Sequence, residues 1–441
     1  MVVEKGPTHA VYTSDPDRQK AGRSVVTVGS WKESFAPLRE PNFAWYYAAR
    51  LVNTAGSMMA PVALAFAVLG VSDSASDLGK VLAARTAPMV VFLLFGGILA
   101  DRLPRAVIMQ VSTLLSALTQ GVVAWLVISG NAEIWQLIVL EAVNGTVAAA
   151  SFPAMASMVP QLVPRHQLQS ANVLLSMSRG GLAVIGPTVA ALLVVSVGAG
   201  WALAADAATW LAASLCLIRV RVPRKDRGDG VSPNMIRELR EGWTVFTSIT
   251  WLWVVVISFC LLNAIHAGAW FTLGPALAKG TIGERGWGYV LSAESIGLVL
   301  MTVVMLRVPL RFPLRAGMAG CALMGIPMFM LGFDPQVVPL VLVAFVAGAG
   351  IEVFSIGWNL AMQENIDDDV LARAYSYDAL GSFVAMPIGQ LVYGPLGETF
   401  GFRDVLIVSG IAYLAIAVLT LGARSVRDLE RHPAADRVPA A

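Results

Sequence analysis

Charge is scarce in this chain. Of its 441 residues, 14% are Asp, Glu, Lys or Arg, against about a quarter in soluble globular proteins, while 56% are hydrophobic. That balance excludes an ordinary water-soluble domain and points to an integral membrane protein. The formal net charge is only +2, which removes the electrostatic footing for nucleic-acid binding. The three cysteines, Cys216, Cys260 and Cys321, fall in apolar runs. They share no metal-ligand spacing and suggest no disulfide framework, so free thiols are expected. The four histidines, His9, His166, His266 and His432, form no metal cluster in sequence. No phosphate-cradling Gly-x-x-x-x-Gly-Lys-Ser/Thr occurs: Gly79-Lys80 lacks the upstream glycine and the following hydroxyl. No nucleophile triad can be read from spacing. The chain is therefore not expected to be an enzyme or to hold a cofactor.

What is present is a succession of apolar runs. The length allows about twelve spans of ~20 residues. They read at 43–70, 77–100, 105–129, 134–160, 169–196, 200–219, 251–277, 287–308, 313–332, 336–361, 374–396 and 402–422. Residues 1–41 are polar and lack an apolar core, which reads as a tail rather than a cleaved signal. Lysine and arginine are distributed unevenly: 24 of the 31 fall on one side of these spans, three on the other and four within them. Basic residues stay in the cytoplasm, so both termini and the central link are expected there. The expected organisation is a cytoplasmic N-terminal tail (1–41), a six-helix bundle (42–220), a cytoplasmic linker (221–250), a second six-helix bundle (251–422) and a cytoplasmic tail (423–441). Within the linker, residues 235–243 have helical periodicity and suit an interfacial surface helix. The halves echo one another at an offset of 203: Leu168-Gln-Ser-Ala171 matches Leu371-Ala-Arg-Ala374, and Gly186-Pro187 meets Gly389-Gln390. Parallel six-span repeats with a mid-membrane site between them are a known transporter construction.

Several motifs add to this. Gly96-Gly97-Ile-Leu-Ala-Asp101-Arg102-Leu-Pro104-Arg105 joins spans 2 and 3 in a tight basic hairpin. Gly97, Asp101, Arg102 and Arg105 resemble the signature loop of the major facilitator superfamily, with Leu103-Pro104 in place of its usual glycine. Gly186-Pro187 resembles that superfamily's antiporter motif, although Ala190-Ala191 stand where it closes on a glycine pair. Phe152-Pro153, Pro160-Gln161, Gln169-Ser170-Ala171-Asn172, Ala205-Asp206-Ala207 and Ser376-Tyr377-Asp378 through Gly381 are similar to the enterobactin-exporter and macrolide-efflux branch. The resemblance covers roughly residues 35–425. It implies an all-α membrane fold of twelve transmembrane helices in two six-helix bundles. It also implies proton-coupled efflux, of the kind associated with multidrug and antibiotic resistance, in a bacterial cytoplasmic membrane.

Independently of motifs, four spans carry polar residues at helical spacing. Span 1 has Arg50, Asn53 and Ser57; span 4 has Glu141, Asn144 and Ser151; span 7 has Asn263, His266 and Trp270; span 10 has Glu352, Ser355 and Asn359. Polar groups in hydrocarbon must face a cavity or each other. The economical arrangement puts spans 1, 4, 7 and 10 around one central cavity, with spans 3, 9 and 12 as uniformly apolar scaffold. Trp270, Phe271, Phe354 and Trp358 either offer that cavity flat apolar surface or pack between helices.

Acids inside the spans are the candidates for proton coupling: Glu352 first, as the deepest, then Glu141 and Glu294. The alternative is structural ion pairing, for example Glu352 with Arg50 or Arg179. Arg85 needs an acid, which Glu141 or Glu294 would supply. Asp206 falls in a scaffold span and reads as structural; Asp378 reads as part of the cytoplasmic gate with Asp101. The reading is a proton-coupled exporter of a small amphipathic organic molecule, monomeric, working with protons and the lipid bilayer. An importer on the same fold is the alternative; a membrane-embedded enzyme or sensor is a more distant one.

Overall fold

Each apolar run becomes a helix, because within a bilayer only internally satisfied backbone is tolerated. The computed structural model describes residues 35–102, 105–156, 158–164, 167–220, 243–244, 246–305, 307–308, 310–366 and 368–430. Among them there is no strand. The traverses are α1 (Pro41–Val71), α2 (Ala75–Arg102), α3 (Arg105–Ile128), α4 (Ile134–Ala156), α5 (Leu168–Val197) and α6 (Ala199–Leu217). They continue with α7 (Thr250–Lys279), α8 (Gly283–Met305), α9 (Pro313–Phe333), α10 (Val337–Asn365), α11 (Asp368–Phe383 and Met386–Phe400) and α12 (Phe402–Thr420). Ten of these are long and apolar enough to cross a bilayer by themselves; α2 and α4 complete the set. Residues 1–34, 221–242 and 431–441, and with them most of the expected surface helix, lie outside the described residues.

Packing pairs repeat with a shift of six helices. In the first half α2 packs on α4, α3 on α6 and α1 on α5; in the second, α8 packs on α10, α9 on α12 and α7 on α11. Across the halves, α2 meets α11 and α5 meets α8. Lipid is as apolar as leucine, so helix association in a membrane depends on close backbone approach at small residues. Gly145 of α4 receives the carbonyl of Arg85 in α2, and Gly348 of α10 receives that of Glu294 in α8; a Cβ at either would fall inside van der Waals distance. These two glycines stand 203 positions apart, the same offset as the sequence echo.

Three helices of the second half are interrupted. In α7 the segment His266–Leu273 is a π-helix. The α9 helix is broken between Ala322 and Gly325, and α11 between Phe383 and Met386.

Candidate functional site

At one end of the bundle, where α1 turns into α2, the two halves are tied together by ionic contacts. Lys279, closing α7, donates to the carbonyl of Leu69 (2.8 Å) and to Asp73 (2.7 Å). Glu398, near the end of α11, accepts from Ser74 Oγ (2.7 Å), Ser76 N (3.0 Å) and Ser76 Oγ (2.5 Å). A cation thus sits on the C-terminal carbonyls of α1 and a carboxylate on the N-terminus of α2, each at the pole its helix dipole favours. Further in, Thr86 donates to Gln390 Oε1 (2.5 Å), and Thr188 and Ser292 share a hydrogen bond (2.6 Å). Gly186 and Pro187 lie at this same junction. Gly186 packs on Met58 of α1, and the Pro187 carbonyl faces Gly288 of α8.

Because both latches are exposed, each contributes only ~0.2–1 kcal/mol. Removing both with Lys279→Ala and Glu398→Gln is expected to raise the population open at this end by roughly tenfold, the equivalent of ~1.4 kcal/mol. Spin-spin distances between labels at Asn131→Cys and Phe400→Cys in a cysteine-free background should lengthen; unchanged distances would remove the latch role.

Away from that end lies a cavity of about 370 Å³. Its wall takes Arg50, Asn53 and Ser57 from α1, Arg85 and Met89 from α2, and Ser112, Thr113 and Ser116 from α3. Ala148 and Ala149 of α4, Trp210 of α6, and Ala379 and Phe383 of α11 also line it. The α1 stripe therefore faces a cavity. The scaffold reading of α3 is corrected: Ser112 and Ser116, four residues apart, and Thr113 beside them give this helix a polar face on the cavity. A larger hollow of about 590 Å³ opens at the latched end. Its only charged wall residue is Glu284 and none of the polar stripes reach it, so it is not the candidate site.

Behind the cavity wall Arg85 pairs with Glu141 (3.2 Å), which is 0% exposed. Of the two partners the sequence offered Arg85, the structure takes Glu141. Asn144 is buried beside it. Asp206, also 0% exposed, belongs to this cluster and feels both Arg85 and Glu141.

The stripes of α7 and α10 do not line the same cavity. Asn263 donates to the Ser382 carbonyl (2.9 Å). His266 packs against Phe271, its Nε2 buried without a partner. Trp270 is 0% exposed, tilted against Trp287 and bonded to Glu294 (3.1 Å), so it fills the α7–α8 seam instead of facing a cavity. Phe354 stacks on Phe259 and Trp358 meets Trp251 edge-on, again as helix packing. On α10, Glu352 accepts from Thr302 of α8 (2.8 Å), and Ser355 and Asn359 are exposed, Asn359 accepting from Tyr375. Asp378 accepts from Trp358 (2.9 Å) and Ser382 (3.1 Å), which keeps it inside the second half. Gly97, Asp101 and Arg102 close α2 and Arg105 opens α3; their side chains, like that of Ser151, lie outside the described residues. Among the described residues no His/Cys/Asp/Glu group could hold a metal.

Residues 32–440 match the family of transmembrane secretion effectors. The macrolide efflux protein A of Streptococcus pyogenes is 24% identical over 88% of this chain and 97% of its own. The multidrug efflux pump Tap of Mycolicibacterium fortuitum is 24% identical over 87% and 95%. Among solved structures, the nucleoside transporter NupG aligns with a TM-score of 0.70 at 13% identity, covering 86% of this chain and 98% of that one. A bacterial homologue of the lysosomal transporter Spinster, solved inward-facing and unoccupied, aligns at 0.62 and 15%, covering 92% and 100%. At such identities the structures speak for the fold.

Proposed function

Since the chain belongs to the transmembrane secretion effector family of the major facilitator superfamily, we propose that this membrane transporter exports a small amphipathic organic molecule by alternating access, driven by protons. The observation that carries the proposal is the asymmetry of the bundle: the halves are latched at one end by Lys279 and Glu398, while a polar-and-apolar cavity lies away from it. The surplus of lysine and arginine belongs to the end opposite the latches and assigns it to the cytoplasm. On that orientation the molecule is inward-facing, in a bacterial cytoplasmic membrane, with both termini inside. It works as a monomer of two rocking bundles, 42–220 and 251–422, joined by the linker 221–250.

Cargo enters the cavity from the cytoplasm. Arg50, Asn53, Ser57 and the α3 hydroxyls supply a few directional hydrogen bonds, and Met89, Trp210 and Phe383 supply apolar contact, the balance small-molecule sites use. Asn144, Asn263, His266 and Trp270 are held between helices in this state, and Ser355 and Asn359 stand outside the cavity, so the cargo contacts proposed are those of its wall. Two efflux relatives support outward transport and a drug-like cargo. Glu352, Glu141 and Glu294 are the candidate acids for coupling. Gly97, Asp101, Arg102 and Arg105, together with Asp378, would hold the cytoplasmic end shut in the opposite state. Gly186-Pro187, at the contact of α5 with α1 and α8, would act as a pivot.

The test is accumulation of a fluorescent lipophilic cation, ethidium, in cells expressing the protein, with and without a protonophore. Export lowers accumulation, and uncoupling restores it to the level of cells lacking the protein. Raised accumulation that the protonophore lowers would favour import.

A further inference from the structure

The first half contains a group of charges that the cargo cavity does not need. Asp206 of α6 and Glu141 of α4 are both 0% exposed. Arg85 of α2 is the cation that reaches them. It binds Glu141 Oε2 at 3.2 Å and acts on Asp206 at longer range. Trp210 is the side-chain donor beside Asp206, and Glu141 Oε1 has no hydrogen-bond partner.

The surrounding helices add little that would balance these charges. On α1 the titratable groups are Tyr46, Tyr47 and Arg50; Tyr47 shares a hydrogen bond with Ser178 of α5, and Arg50, beside Tyr46, stands on the cavity wall. Between 106 and 128, α3 has no charged residue; Glu141 is the one charge of α4; and Arg179 of α5 is exposed. The cluster therefore brings two carboxyls and one guanidinium into an interior where an unbalanced charge costs several kcal/mol. One guanidinium can neutralise one carboxylate. The remaining carboxyl is neutral only with a proton on it.

We propose that Asp206, Glu141 and Arg85 form a binding site for a single exchangeable proton inside the N-terminal half. The site rests on the proton coupling proposed above and gives it a location apart from Glu352. Its geometry suits exchange. Arg85 stands in the cavity wall, as does Trp210, one turn along α6 from Asp206, so the cluster is one side chain away from the route by which water enters. Asp206 gets this close because α1 has a glycine at 56, next to the wall residue Ser57; a Cβ there would collide with the Asp206 carboxylate and the Thr209 hydroxyl. In the cycle one carboxylic acid O–H breaks to a carboxylate and a proton when the wall hydrates. It re-forms when the halves close and the guanidinium again faces two acids. Proton and cargo then occupy neighbouring sites that share Arg85, so the filling of one bears on the other without direct contact.

The test reads the proton itself. Infrared difference spectra of the full purified chain in lipid, alkaline minus neutral, should show loss of a protonated-carboxyl C=O band. Asp206→Asn and Glu141→Gln should each abolish that band, while Glu352→Gln keeps it. No such band in the wild-type chain, or a band that survives both substitutions, overturns the site; if Asp206→Asn does not fold, Glu141→Gln alone decides. In cells, Asp206→Asn should leave ethidium accumulation at the protonophore level. The two readings separate cleanly. Ethidium export that collapses with protonophore while the band is unaltered by either substitution refutes this site and leaves proton coupling standing. A band lost as expected alongside protonophore-insensitive export refutes the coupling.

Discussion

Replacing Arg85 by alanine should be the most damaging single polar change in the first half. Arg85 is about a third exposed, but its partner Glu141 is completely buried. Removing one member of a buried pair leaves the other uncompensated, at a cost of about 3–5 kcal/mol. For a chain of this size that corresponds to a fall in melting temperature of roughly 5–10 °C. The measurement is thermal unfolding in detergent, followed by intrinsic fluorescence. The double variant Arg85→Leu with Glu141→Leu should recover most of the loss, since apolar residues of similar volume replace a buried pair at little cost. It should still fail in transport, because the cavity wall keeps Arg50 but has lost Arg85, the cation that links it to the buried acids. A double variant as unstable as Arg85→Ala would mean that the pair is not what holds this region.

The second large effect is expected at Gly348. The Glu294 carbonyl of α8 occupies the place where a side chain would begin, and Gly297 receives the Phe345 carbonyl in return. This reciprocal docking sets the spacing of α8 and α10, among the most intimately packed helices in the molecule. A Gly348→Val substitution forces backbone apart from backbone, and no rotamer relieves it. Overpacking costs about 1–3 kcal/mol where side chains can adjust; here the upper end is expected. The protein should express poorly and elute from size exclusion as an aggregate. Gly181→Ala, at a position where a Cβ meets nothing within 4 Å, is the control and should behave as wild type. A well-behaved Gly348→Val protein would show that α8 and α10 separate freely.

The helices were legible because a span is a one-dimensional signal: apolar length marks it, and polar loops end it. Depth narrows the partner of Arg85 to Glu141 or Glu294, and the structure takes Glu141. Periodicity tells which residues share a face of one helix; it does not tell which neighbour that face meets. That is why the α7 stripe, which includes Asn263 and Trp270, read as cavity lining when Asn263 is bonded to α11 and Trp270 is packed on α8. The α3 hydroxyls were passed over for the opposite reason: serine and threonine barely interrupt an apolar run, yet one face of them lines the cavity. Asp206 reads as structural from the sequence because it falls in a scaffold span. Only the packing of α6 on α1 and α3 reveals that it looks inward.

The π-helical segment of α7 distinguishes the two halves in mechanical terms. Proline lies within α1, α2 and α5 without interrupting them. In α7 the π segment stores one surplus residue in its register. Passing that residue along the helix, or relaxing it to α geometry, turns everything beyond it by about 100° around the helix axis. A shift of that kind would rotate Trp270 away from Glu294, and would carry Lys279 off Asp73 at the far end of the same helix. A register shift in α7 would thus be one residue in size and would reach from the buried Trp270 to the Lys279 latch.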